Sequence, residues 1–181
     1  MDKTGNTDDN TGNGTELQLT MFTDEYGTYT GTFKDGEQNG YGVCHFKNND
    51  VYSGGWKNGR QHGPGVFAWA GGCVYLGCFE DGQKCGLGTE TAPDGWRYEG
   101  EWCGDKMHGQ GTETCPDGVY TGEWANGCKH GQGKQTYVDG RVYEGTWMDG
   151  VPYESLKVLT VHELKKEQQA CALGGIQPPA V

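Results

Sequence analysis

The residues best suited to chemistry are histidines and cysteines that recur at one place. His62, His108 and His130 each precede the first glycine of a G-x-G pair, and Cys85 takes the same place in another copy. Such a set would suit zinc if its members converged. They are expected on successive β-hairpins, roughly 9–10 Å apart, whereas zinc ligands stand about 2.3 Å from one ion. The histidines are therefore read as hydrogen-bond donors that steady turns. The eight cysteines include no C-x-x-C pair and read as small apolar fillers or surface thiols. A G-x-G pair can cradle phosphate only at the start of a helix, and here each pair leads into a strand. Asp8-Asp9-Asn10 opens like a calcium loop, but Asn13 and Leu19 stand where glycine and glutamate are required. His162-Glu163 begins like a zinc-protease helix, yet Lys166 replaces its second histidine, and no G-x-S-x-G elbow is present. The expectation is a non-enzymatic chain with no catalytic residue, metal or cofactor.

The elements that carry these residues are strands. Tyrosines open similar segments at Tyr29, Tyr52, Tyr75, Tyr98, Tyr120 and Tyr143, at spacings of 22 or 23 residues. Each begins Y-x-G-x-[W/F], as in Tyr52-Gly54-Trp56 and Tyr98-Gly100-Trp102. Period two is the strand period, so both rings and the glycine between them share a face, while Glu99 and Glu101 take the other. The missing side chain leaves a slot for a neighbouring strand's side chain. A turn signal (Gly36, Gly59, Gly82, Gly127) and a G-x-G pair follow, which reads as a loop and a second short strand. Asp94-Gly95, Asp117-Gly118 and Asp139-Gly140 then turn the chain into the next unit.

Composition agrees. Only 33% of residues are hydrophobic while 12% are aromatic, and 34 are glycine; mean hydropathy is -0.79. A conventional aliphatic core is out of reach, but rings laid over glycines bury a large apolar area. The formal charge of -11 disfavours nucleic acid. No segment is long and apolar enough to span a bilayer, and the polar N-terminus does not read as a signal peptide, so an intracellular chain with reduced thiols is expected.

The pattern Y-x-G-x-W-x-x-G-x-x-H-G-x-G resembles the MORN (membrane occupation and recognition nexus) repeat, with five full units and a sixth first strand between Tyr29 and Gly150. Asp105 stands where the fourth unit's turn glycine is expected, and Asn39 and Cys85 replace the histidine. The resemblance implies an all-β fold: an elongated, twisted, single-layer antiparallel β-meander of roughly a dozen strands. Residues 1–14 are expected to be disordered, 15–28 to form a degenerate half-repeat cap, and 29–150 to hold the repeats. Residues 151–173 carry a helical pattern from Glu154 to Ala172 with Ser155 as N-cap, read as a helix that caps the last hairpin, and 174–181 form a loose tail.

A single layer cannot cover both its faces, so the aromatic face is expected to be partly open and to take a protein partner, as a helix or extended peptide. The residues assigned to that site are Tyr52, Trp56, Trp69, Tyr75, Glu90, Tyr98, Trp102, Glu113, Tyr120 and Trp124, and the acidic balance favours a basic ligand. The resemblance, taken to extend to radial-spoke-head-type and other cytoskeletal MORN proteins, further implies self-association and a cytoskeletal address, in a cilium or flagellum among others. One alternative that the resemblance implies is a separate regulatory module of a lipid-kinase-like partner; the other, which the family's name suggests, is an adaptor associated with membrane lipid. Between Tyr29 and Gly150 the 16 acidic and 10 basic residues leave a net -6, and no polybasic cluster is present, so charge disfavours it.

Overall fold

A computed structural model describes residues 18–153 and 157–159. The chain runs as an antiparallel meander: β1 (Gln18–Thr23), β2 (Gly27–Lys34), β3 (Glu37–Phe46), β4 (Val51–Lys57), β5 (Arg60–Ala68), β6 (Val74–Glu80), β7 (Gln83–Thr91), β8 (Arg97–Cys103), β9 (Lys106–Cys115), β10 (Gly118–Ala125), β11 (Cys128–Tyr137), β12 (Val142–Met148) and β13 (Val151–Pro152). Each strand pairs with the next in sequence, so one open sheet results, and β14 (Lys157–Leu159) pairs with β12.

Asn-Gly and Asp-Gly set the hairpins. Asn58-Gly59, Asp81-Gly82 and Asn126-Gly127 all have positive φ at both residues, the two-residue turn whose twist matches that of the strands. The fourth unit reverses the order as Gly104-Asp105, and Asp105 tolerates φ 65 because a short polar side chain can bond locally. Its Oδ1 accepts from the Lys84 amide at 2.8 Å.

These turns leave no room for the loop expected before the G-x-G pair. The return strands begin directly after the turn, and the first glycine of each pair sits in a bulge within the strand. Between β10 and β11, Gly122 faces Gly133 and the next residue, Glu123, faces His130, so Gly131 and Gln132 are extra. Gly131 has φ +55, a left-handed conformation that glycine adopts without steric cost. Because the bulge adds an even number of residues, the alternation of faces survives it.

The second glycine of each pair and the glycine of each Y-x-G lie opposite one another. Gly31, Gly42, Gly54, Gly65, Gly77 and Gly88 form one cross-strand row. Gly100, Gly111, Gly122, Gly133 and Gly145 continue it to β12. This glycine seam is the seat of the core. Tyr29, Tyr52, Tyr75, Tyr98 and Tyr120 lie across it: a methyl on Gly88 would fall 2.6 Å from Tyr75 Cε2, and one on Gly111 equally close to Tyr98 Cε2. At the Y-x-G glycine the slot is filled by the tyrosine of its own strand, since a methyl on Gly77 would strike the Tyr75 hydroxyl, and the same ring extends over the glycine opposite on the neighbouring strand.

The C-terminal helix is corrected where the chain is described. Val151–Pro152 and Lys157–Leu159 are strands. β13 pairs only with Trp147 and Met148, leaving the backbone of Val142, Tyr143 and Glu144 free for Lys157–Leu159. An unpaired edge next to a segment containing β-branched Val158 favours strand addition over a helix. The rest of that helix, the tail 174–181 and the segment 1–14 lie outside the described residues.

Candidate partner-binding face

The aromatic face is built as an interlocked ladder. From Tyr29 to Tyr120 each repeat tyrosine meets the ring four residues on at close to a right angle, as in Tyr98–Trp102 at 5.1 Å, and also a ring of the next unit, as in Tyr98–Trp124 at 5.2 Å. The edge-to-face geometry recurs from Tyr29–Trp56 to Tyr120–Trp147. The polar atoms of the rings are satisfied within the sheet. Tyr98 Oη donates to the Glu101 carbonyl at 3.0 Å and Trp102 Nε1 to the Gly88 carbonyl at 3.1 Å, with equivalent bonds at Tyr52, Tyr120, Trp56 and Trp124. Burial pushes the phenols of Tyr98 and Tyr120 up to about 12 and those of Tyr52 and Tyr75 higher still.

This closure corrects the expectation of an open aromatic groove. Tyr52, Tyr75, Tyr98 and Tyr120 are 0% exposed, and Trp56, Trp102 and Trp124 are buried. Seven of the ten residues assigned to partner contact are the core that holds the ribbon together, because flat rings on a glycine seam pack edge to face under their neighbours. Trp69, Glu90 and Glu113 are half-buried at its margin.

Nor are the two glutamates free anions. Glu90 Oε2 lies 2.5 Å from Lys84 Nζ, which stands 4.0 Å above the Trp102 ring with Tyr75 and Trp69 close by. Glu113 takes Lys129 Nζ at 2.9 Å and the Trp96 indole N–H at 2.9 Å, while Lys129 sits over Tyr120. Each lysine is held by a carboxylate and by ring faces together. The local charge is balanced, so these carboxylates do not supply the basic-ligand preference inferred from sequence.

The open part of this face is a cleft of about 260 Å³ lined by Lys84, Glu90, Trp96, Trp102, Asp105, Lys106, Met107 and Gly127. Trp96 and Met107 are half-buried and apolar; Asp105 and Lys106 are exposed at the rim. Sequence reasoning passed over Lys84, Lys129, Trp96 and Met107, although parity marks them. Trp96 lies two residues before Tyr98, and Lys84 four before Gly88. A second cleft, of about 280 Å³, opens near the other end between Phe22, Tyr26, Phe46 and Trp56.

The histidines do not act as expected. Among the described residues, Nδ1 of His62 and of His130 is buried with no hydrogen-bond partner, although Asp149 Oδ1 stands 4.0 Å from His130 Nδ1. His108 is exposed.

The ladder of Tyr, Gly and Trp at this period, with its bulge glycine, coincides with the MORN-repeat family model, which matches residues 29–51, 52–74, 75–97, 98–119, 120–140 and 143–152. The chain belongs to the MORN-repeat family. The matched units begin at the six tyrosines that open the sequence repeats. MORN repeats serve generally as protein- or membrane-interaction modules and are not a known enzyme family. No curated protein matches this MORN chain.

Proposed function

We propose that this MORN ribbon is a non-enzymatic protein-interaction scaffold that seats a helix or extended segment of a partner on the margin of its aromatic face. The observation that carries the reading is the cleft floored by Trp96, Trp102 and Met107 and rimmed by Asp105 and Lys106. It offers the half-buried Trp96 indole and Met107 thioether beside charged groups, the mixture that anchors protein interfaces. The buried rings below pre-organise it, so little ordering entropy opposes binding. The overall charge of -11 favours a basic segment by long-range attraction. The cytoskeleton, including cilia or flagella, is the proposed address, and proximity labelling in the native cell tests it.

The binding test is a peptide library selected against the full chain. Selected peptides should lose at least tenfold in affinity to Trp96→Ser and Met107→Ser, while Leu76→Ser on the opposite face leaves them unchanged. Peptides insensitive to both cleft variants would remove the cleft from the proposal. Flotation of the chain with anionic phospholipid vesicles would favour the lipid alternative instead.

A further inference from the structure

One hairpin differs from its neighbours on the face opposite the rings. At the bulge, the fourth and fifth units pair Glu101 with His108 and Glu123 with His130. The third pairs Cys78 with Cys85. Directly opposed residues of antiparallel strands have Cα atoms about 4.5–5.5 Å apart and side chains on the same face, within the roughly 4.4–6.8 Å that a disulfide spans. On the other side of β7 the last pair with β8 is Gly86 with Trp102, so the register carries Cys85 opposite Cys103. The strands stay joined there, since the Asp105 amide donates to the Lys84 carbonyl at 3.2 Å. Cys78 adjoins buried Phe79 and Cys103 adjoins buried Trp102, so both thiols alternate to the outer face, where they are exposed. Cys85, half-buried, lies between them.

We propose that Cys78, Cys85 and Cys103 form a thiol–disulfide exchange site in which Cys85 closes a disulfide with one of its two exposed neighbours, a small-molecule disulfide such as oxidised glutathione being the oxidant. The exposed thiol, as thiolate, attacks one sulfur of the oxidant; its S–S bond breaks and one glutathione thiolate leaves, giving a mixed disulfide. Cys85 then loses its proton, attacks the protein sulfur of that mixed disulfide and expels the second glutathione. Two protein thiols are oxidised, one glutathione disulfide is reduced to two thiols, and the two protons released are taken up by the leaving thiolates.

The environment of Cys85 fits the second role. Burial first, then the neighbouring Cys78, Glu80 and Cys103, push its thiol upward, which makes Cys85 a poor first nucleophile toward a disulfide in solution. A metal centre is the poorer reading. Three residues on three strands spread over roughly 9–10 Å, and among the described residues no three His, Cys, Asp or Glu side chains gather as ligands. A disulfide needs one neighbour only. The site is independent of whether the cleft takes a partner, although Lys84 and Trp102, chain neighbours of Cys85 and Cys103, line that cleft from the other side.

The test uses the full reduced chain in graded mixtures of oxidised and reduced glutathione, with free thiols then blocked by N-ethylmaleimide and digests read by tandem mass spectrometry. Cys85 should be found linked to Cys78 or Cys103 in at least about tenfold excess over any linkage to Cys73, Cys115 or Cys128. In Cys85→Ser, Cys78 and Cys103 should accumulate as glutathione adducts; with Cys78→Ser and Cys103→Ser together, Cys85 should remain unlinked even if Cys85→Ser fails to fold. A blocked Cys85 beside glutathione-bearing Cys78 and Cys103 in the unaltered chain, or linkages scattered evenly over all the cysteines, would overturn the proposal.

Discussion

Gly111 provides the sharpest test of the glycine seam. A methyl there would lie 2.6 Å from Cε2 and from Cζ of Tyr98, and that ring is 0% exposed. The ring must leave, taking with it its hydrogen bond to the Glu101 carbonyl and its edge-to-face contacts with Trp102 and Trp124. Truncating a buried aromatic costs about 3–5 kcal/mol, so Tyr98→Ala and Gly111→Ala should each cost about 4 kcal/mol. In the double variant the added methyl enters space the ring has vacated. The cost should stay near 4 kcal/mol instead of doubling, a coupling of about 4 kcal/mol in the double-mutant cycle. Gly100→Ala is the control: its methyl would meet the Gln110 carbonyl oxygen at 2.6 Å, and backbone does not move away when Tyr98 is removed. Urea unfolding of the full chain, followed by tryptophan fluorescence and circular dichroism, measures all four variants. Additive costs for Gly111→Ala and Tyr98→Ala would refute the view that glycine is required there as the seat of a ring.

Three further outcomes follow from the same geometry. Burial pushes the phenols of Tyr98 and Tyr120 up to about 12 in the folded chain, from an ordinary value of 10.0, so the unfolded chain loses these protons first. Stability should be level below pH 10 and fall as pH rises from 10 toward 12, by roughly 1.4 kcal/mol per tyrosine per pH unit; a midpoint of chemical unfolding unchanged across that window would contradict the burial of these phenols. Gly127→Ala meets no neighbour within 4 Å, but φ there is +87, so left-handed strain alone should cost about 1–2 kcal/mol, well short of Gly111→Ala; equal losses would mean the distinction is false. Lys84 and Glu90 are only 13% and 19% exposed. Lys84→Met or Glu90→Gln alone, which strands a half-buried charge or weakens its partner, should each cost roughly 1–3 kcal/mol, and thermal melts of the double variant should show less than the sum.

Much of this molecule is legible in period-two spacing. Tyrosine, glycine and tryptophan at i, i+2 and i+4 must share a face of a strand, and their return at 22 or 23 residues fixes the hairpins, the aromatic face and the family. Asn-Gly and Asp-Gly fix the turns, because few other residues accept a left-handed backbone. Spacing along one strand carries no information about what covers a ring, and that depends on strands from neighbouring units. Tyr98 is buried because Gly100 and Gly111 let it lie flat, while Trp102 and Trp124 close over it; the rings expected to grip a partner became the core, and the margin at Trp96 and Met107 became the surface. The same holds for Lys84, whose ammonium finds Glu90 and Trp102 only through a bulge and the next hairpin. A helical pattern after Gly150 yielded to strand where the free edge of β12 offered hydrogen bonds to Lys157–Leu159. Three cysteines separated in the chain came into one row because β6, β7 and β8 are neighbours. Local spacing determines which way a side chain faces; register between strands determines whom it meets.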